Sequence, residues 1–196
     1  MRPGGRILVL VAALLSLAGC GSSADALPDW EPQVARSISP TTPTTPSSAE
    51  PSCDTGLRFT EISGDSAMGL RVRVIEVVNC GTKPLELNGY PQVKLLDEER
   101  RQLDAQILDG SGGIALVEGF DAPPQPITLQ PGERATSAFM WKNTNTSIDP
   151  PLVGRHIDIA AVPGGTWQPL VPMPPGDDFH VDLGSTGRLG VRAWHR

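Results

Sequence analysis

Three histidines, three cysteines and a single tyrosine are all that 196 residues supply, and these shortages narrow what the chain can be. No C-x-x-C pair occurs, which removes the usual form of a redox-active dithiol. Histidine and methionine form no cluster of the kind copper carriers use. Positive charge is also short: 16 Lys and Arg stand against 22 Asp and Glu, a net charge of −6, and this excludes a protein held on nucleic acid by a basic surface. No apolar run reaches the roughly 20 residues that a membrane-crossing helix requires. No stretch of a dozen residues from position 53 onward keeps a convincing helical period, so a helical bundle is excluded too.

What is abundant is punctuation. There are 21 glycines and 20 prolines, with 39% hydrophobic residues beside them. That combination builds a core from short strands joined by tight turns.

The N-terminus has its own logic. Arg2 and Arg6 precede an uncharged, Leu-, Val- and Ala-rich stretch, 7–19, which ends in Leu17-Ala18-Gly19 directly before Cys20. Too short to span a bilayer, this stretch fits the apolar region of an export signal. Its small residues before a cysteine resemble a bacterial lipoprotein signal, which implies a signal peptide at 1–19 and a diacylglycerol on the Cys20 thiol. A lipid bilayer is then the first expected partner, because two or three acyl chains at about 0.8 kcal/mol per methylene hold a protein stably. Removing Arg2 and Arg6 makes the body more acidic than the full chain, and anionic lipid repels it. Residues 20–52 supply the separation. They hold Pro28, Pro32, Pro40, Pro43, Pro46 and Pro51 in a Ser/Thr-rich context, cannot bury enough surface to order themselves, and extend on the order of 100 Å as polyproline-like chain. They read as a disordered tether.

With Cys20 assigned to lipid, Cys53 and Cys80 remain, and export places them where disulfides persist. Their separation of 27 residues closes a loop worth roughly 3.5 kcal/mol in the chain-entropy account. From Cys53 to the end, 53–196, the period is that of strands. Candidate strands fall at 56–62, 70–74, 91–96, 114–117, 127–129, 135–141, 157–162, 179–183 and 189–194. Turn signals lie between them at Gly64-Asp65, Asn88-Gly89, Pro131-Gly132, Pro163-Gly164 and Pro175-Gly176. The expectation is an all-β, antiparallel β-sandwich. In Leu70-Arg71-Val72-Arg73-Val74 the alternation puts the valines on one face and the guanidinium groups on the other. Arg71 and Arg73 are therefore expected on a solvated face, with an anionic ligand site as the second reading.

Asn79, Pro84, Leu87, Gly89-Tyr90-Pro91 and Leu95-Leu96-Asp97 together resemble the signature of a domain family of unknown function common in actinobacterial lipoproteins and secreted proteins. The Pro131-Gly132 and Pro175-Gly176 turns fall where that family has its own. The resemblance implies an immunoglobulin-like sandwich on the cell surface and implies no reaction. One departure is that family members usually carry a cysteine where Leu85 stands, whereas this chain has Cys80. Tyr90 reads as a packed ring whose hydroxyl finds a hydrogen-bond partner, with ligand stacking as the second reading.

Three chemical constellations remain. Asp109-Gly110-Ser111-Gly112-Gly113 is similar to the nucleophile segment of trypsin-like proteases, but every histidine follows it, the wrong order for that triad, so it reads as a flexible glycine loop. Gly64-Asp65-Ser66 with Asp177-Asp178-Phe179-His180 resembles the serine and Asp/His blocks of a lipase and esterase family, making Ser66, His180 and Asp177 the residues of an alternative hydrolase. That family is α/β, and here Ser66 is expected in a turn, 64–69, between antiparallel strands. His156-x-Asp158 and His180-x-Asp182, with Met173 nearby, are the candidates for a metal or small-ligand carrier. Trp141, Trp167 and Trp194 read as packing. The expectation is an extracytoplasmic, lipid-anchored binding or structural module of the envelope that meets a cell-wall polymer or envelope protein, with no catalytic residue, no cofactor, no metal and no nucleic-acid partner.

Overall fold

Alternating apolar residues on both sides of a two-residue turn make the hairpin of β1 (Leu57–Ala67) and β2 (Leu70–Asn79). Met68 and Gly69 close it with φ of 46° and 82°, the left-handed pair that matches the twist of antiparallel strands. The hairpin therefore runs on past Gly64-Asp65, which lie within β1. The 64–69 turn of the sequence reading shrinks to its last two residues. This computed structural model describes Cys53 and residues 55–196. The expected signal peptide, the Cys20 lipid site and the tether lie outside the described residues.

Ten further strands follow: β3 (Leu85–Leu87), β4 (Gln92–Leu96), β5 (Gln106–Asp109), β6 (Ile127–Leu129), β7 (Arg134–Lys142), β8 (Val153–Gly154), β9 (His156–Ala160), β10 (Gln168–Pro169), β11 (Val181–Asp182) and β12 (Arg188–Val191). A five-stranded sheet runs β1-β2-β7-β12-β5, and shorter sheets run β10-β9-β4, β11-β8 and β3-β6. All strand pairs are antiparallel except β12 with β5. The described residues contain no helix.

The main core lies between the five-stranded sheet and the short sheets. Phe59, Ile75, Val77, Phe139, Trp141, Leu189 and Val191 from the first meet Leu87, Leu95, Leu129, Ile157, Ile159 and Val181 from the second. This is an all-β sandwich. Each fully buried aliphatic or phenyl side chain contributes about 1.5–3 kcal/mol of transfer free energy.

A second, smaller cluster covers the opposite face of the large sheet. Leu70, Val72, Ala138 and Met140 meet Ile114 and Phe120 there. Residues 114–117 are thus apolar because they cap a sheet face; the strand expected at this position is a loop.

Cys53 is bonded to Cys80, with Cα atoms 6.1 Å apart, and the bond joins the entry of β1 to the exit of β2. Beside it, Asn79 is buried at 2% exposure. Its amide donates to the carbonyls of Lys83 (2.8 Å) and Leu129 (2.9 Å), and its side-chain oxygen accepts from the Gly81 N–H (3.0 Å). One side chain thereby ties β2, the following turn and β6 together, a reason for a strand to end in Asn here.

Candidate functional site

β1 carries a bulge at Ile62: Glu61 stands opposite Ile75, and Ser63 opposite Val74. An inserted residue exchanges the faces of all that follow. Beyond the bulge, Gly64 lies opposite Arg73 and Ser66 opposite Arg71, on the face that Phe59 and Glu61 occupy before it. On β2 the same face carries Arg71, Arg73, Ile75 and Val77, and Arg73 stands opposite Phe139 and Arg71 opposite Trp141 on β7. This corrects the sequence reading of a solvated arginine face. Both arginines share the inner face with the core, at the end where the two sheets part.

Gly64 is the reason Arg73 fits there. A Cβ on Gly64 would lie 2.7 Å from Arg73 Cδ and 2.8 Å from its Nη1, so the guanidinium stem lies across bare backbone. Arg73 Nη1 then donates to Glu61 Oε1 at 2.6 Å. The Glu61 side chain is 3% exposed and that of Arg73 38%, so the carboxylate is enclosed and the cation faces outward. Glu61 Oε2 accepts from the Met173 N–H at 3.4 Å.

A cavity of about 140 Å³ opens over this pair. Trp141, Pro172, Met173 and Phe179 give its apolar walls, and Asp177, Asp178 and His180 its polar rim. Arg155 Nη1 lies 3.0 Å from His180 Nδ1. Arginine has no acceptor, so the imidazole nitrogen accepts and the ring proton sits on Nε2. Trp141 is 1% exposed, and its Nε1–H has no hydrogen-bond partner among the described residues. Trp194, equally buried, donates its own Nε1–H to the Ala161 carbonyl at 2.8 Å.

The structure thus gathers Arg73, Met173, Asp177 and His180, which the sequence had assigned to three different chemistries, into one place, and adds Glu61, Gly64 and Trp141, which no motif marked. Arg71 donates to the Leu70 carbonyl at 3.1 Å. Ser66 is exposed, and its N–H donates to Asp65. Among the described residues no hydrogen bond joins Ser66 or Asp177 to His180, whose Nδ1 is taken by Arg155 rather than by a carboxylate.

The remaining candidates have structural partners. His156 Nδ1 lies 3.9 Å from Asp178 Oδ1, Asp158 pairs with Arg100 at 2.8 Å, and Asp182 accepts from the Gly184 N–H. Among the described residues no group of three or more His, Cys, Asp or Glu side chains is arranged to hold a metal. Tyr90 packs half-buried against the main core, and its hydroxyl makes no hydrogen bond within the described residues, against the expectation of a partner. Trp167 is exposed and carries Lys94 Nζ 4.0 Å above its ring.

The glycine loop read as flexible is pinned. Ser111 donates its N–H and hydroxyl to Asp121 at 2.6 and 2.7 Å, and these two bonds hold the Asp121 carboxyl below its ordinary range. A second cavity of about 340 Å³ lies by Pro123, Pro126, Trp194 and His195. None of the residues singled out from the sequence as a chemical site lines it.

Fold and site together define a disulfide-linked β-sandwich domain with a small polar cavity where its sheets part. Residues 53–195 match the family described as Domain of unknown function (DUF4232), and the chain belongs to that family. Comparisons with curated proteins and with solved structures gave no match.

Proposed function

We propose that the chain is a lipoprotein of an actinobacterial-type envelope, anchored at the extracytoplasmic face through acylated Cys20 and acting as a non-catalytic binding module for an envelope component. The observation that carries this reading is the Cys53–Cys80 bond. Disulfides persist in oxidising compartments, and this one uses two of the three cysteines. The thiol left over is the one that follows the small residues of the export signal. The acyl chains provide the attachment, and residues 20–52 hold an acidic domain clear of anionic headgroups.

The non-catalytic part of the reading is supported by the arrangement of the polar groups. An acyl-transfer site needs a nucleophile and a base in hydrogen-bond contact, with a group that orients the base. Ser66, His180 and Asp177 are not joined in that way. The cavity instead presents separate donors and acceptors around apolar walls, the arrangement of a recognition site.

Cys20→Ala tests the anchor. The variant is expected to lose incorporation of labelled palmitate and to pass from the membrane fraction into the medium. Retention of the unlabelled variant on the membrane would overturn the anchored reading.

A further inference from the structure

We propose that the cavity between Trp141 and the 172–181 segment binds a neutral polyhydroxylated ligand, one sugar unit of an envelope glycan. The proposal rests on the binding-module reading above and supplies its substrate class. The charges select the ligand. Arg73 is already matched by Glu61, so the carboxylates of Asp177 and Asp178 on the rim are not balanced by it, and a second anion entering there is repelled. A cation would find those two carboxylates but would face the Arg73 guanidinium, and it would leave the Trp141 Nε1–H and the His180 Nε2–H without acceptors. A hydroxyl avoids both conflicts, because it accepts from an N–H and donates to a carboxylate at the same time.

The unpaired indole makes the cavity more than a surface dent. A buried donor without an acceptor costs about 1–3 kcal/mol. Trp194 shows that this fold can satisfy an indole fully when nothing else is required of it. An acceptor arriving in the cavity removes the Trp141 penalty on binding. Pro172, Met173 and Phe179 offer C–H and ring surface for the apolar face of a pyranose or furanose. About 140 Å³ is the room of roughly five waters. That suits one sugar unit inserted by its edge, with the rest of a polymer outside.

The test is a titration of the full-length chain with glucose, mannose and arabinose, and separately with sodium acetate, followed by the ¹H–¹⁵N indole resonances. Trp141→Phe assigns the Trp141 signal. The expected result is saturable movement of that signal with at least one sugar, none with acetate, and a still Trp194 signal. In Trp141→Phe the affinity for the sugar, read from ligand-side saturation transfer, should fall by roughly tenfold, the loss of one hydrogen bond, with the melting temperature unchanged or raised. Gly64→Ala, which pushes Arg73 aside, should weaken binding without unfolding the chain. Movement with acetate in place of sugar would make this an anion site and overturn the proposal. So would movement of the exposed Trp167 signal alone, or no movement with any sugar. The titration needs no membrane, so its failure is distinct from failure of the Cys20 anchor test.

Discussion

β2 presents the same face along its whole length, yet its two halves are built for opposite ends. From Ile75 to Asn79 the inner side chains are buried and every polar group of Asn79 is matched. From Arg71 to Arg73 the face is charged, partly open and adjacent to an indole without an acceptor. Stability is concentrated where the disulfide closes the hairpin, and unsatisfied chemistry where the sheets part. Polar groups at the closed end are completed by the fold; at the open end they are left for a visitor.

Substitutions at the two ends should therefore behave differently. The largest effect is expected at the closed end. Asn79→Ala strands the Leu129 carbonyl in the core and unties the turn after β2, and should lower stability by about 3 kcal/mol and the melting temperature by about 8 °C. An effect as small as that of a surface substitution would erase the contrast between the halves.

At the open end, Arg73→Leu leaves the enclosed Glu61 carboxylate with only the Met173 N–H. The expected loss is about 1–2 kcal/mol, less than for a fully buried pair because the guanidinium is 38% exposed. The pair Glu61→Met with Arg73→Leu should recover most of that loss in urea unfolding. If the double variant is no better than the single one, Glu61 is held by something other than Arg73.

The smallest effect concerns the outer face of the closed end. Thr136 stands opposite Glu76 on β2 and bridges to His195. Burial pushes the His195 imidazole below its ordinary value of 6.5. The unfolded chain then binds the proton more readily. This contribution to stability is full above 6.5 and is lost as pH falls from there through the lower folded value. His195→Gln should flatten the dependence of the urea midpoint between neutral pH and pH about 5, leaving the neutral value little changed.

Much of this contrast was legible in the sequence, though not its sign. Alternation in 70–74 identified a strand with two chemically different faces. It could not say which face turned inward, because the rule that the apolar side seeks the core assumes one core. Here Leu70 and Val72 are buried by the 114–120 loop on the outer face, which leaves the arginines to the inner one. The same loop explains why 114–117 resembled a strand. β8 and β10 are two residues each and too short to show any period, and β5 owes its strand to parallel pairing with β12 across a long stretch of chain. At the cavity, His180, Asp177, Met173 and Arg73 were each noticed for a separate reason. Their convergence depends on the bulge at Ile62 and on Gly64, and neither carries a chemical motif. The unmatched donor of Trp141 is a property of its surroundings and has no signature in the chain.

The Cys53–Cys80 bond also determines how the domain carries load. In the anchored arrangement, tension along residues 20–52 enters at Cys53. Without the bond that pull would reach Leu57, at the start of the first strand of the sheet, and peel it from Asn79 one rung at a time. The bond passes the force to Cys80, beyond the end of β2, which is held on both sides by β1 and β7. A pull along that axis loads many hydrogen bonds together in shear. The envelope can move against its membrane while the cavity at the far end of the same strand keeps its shape.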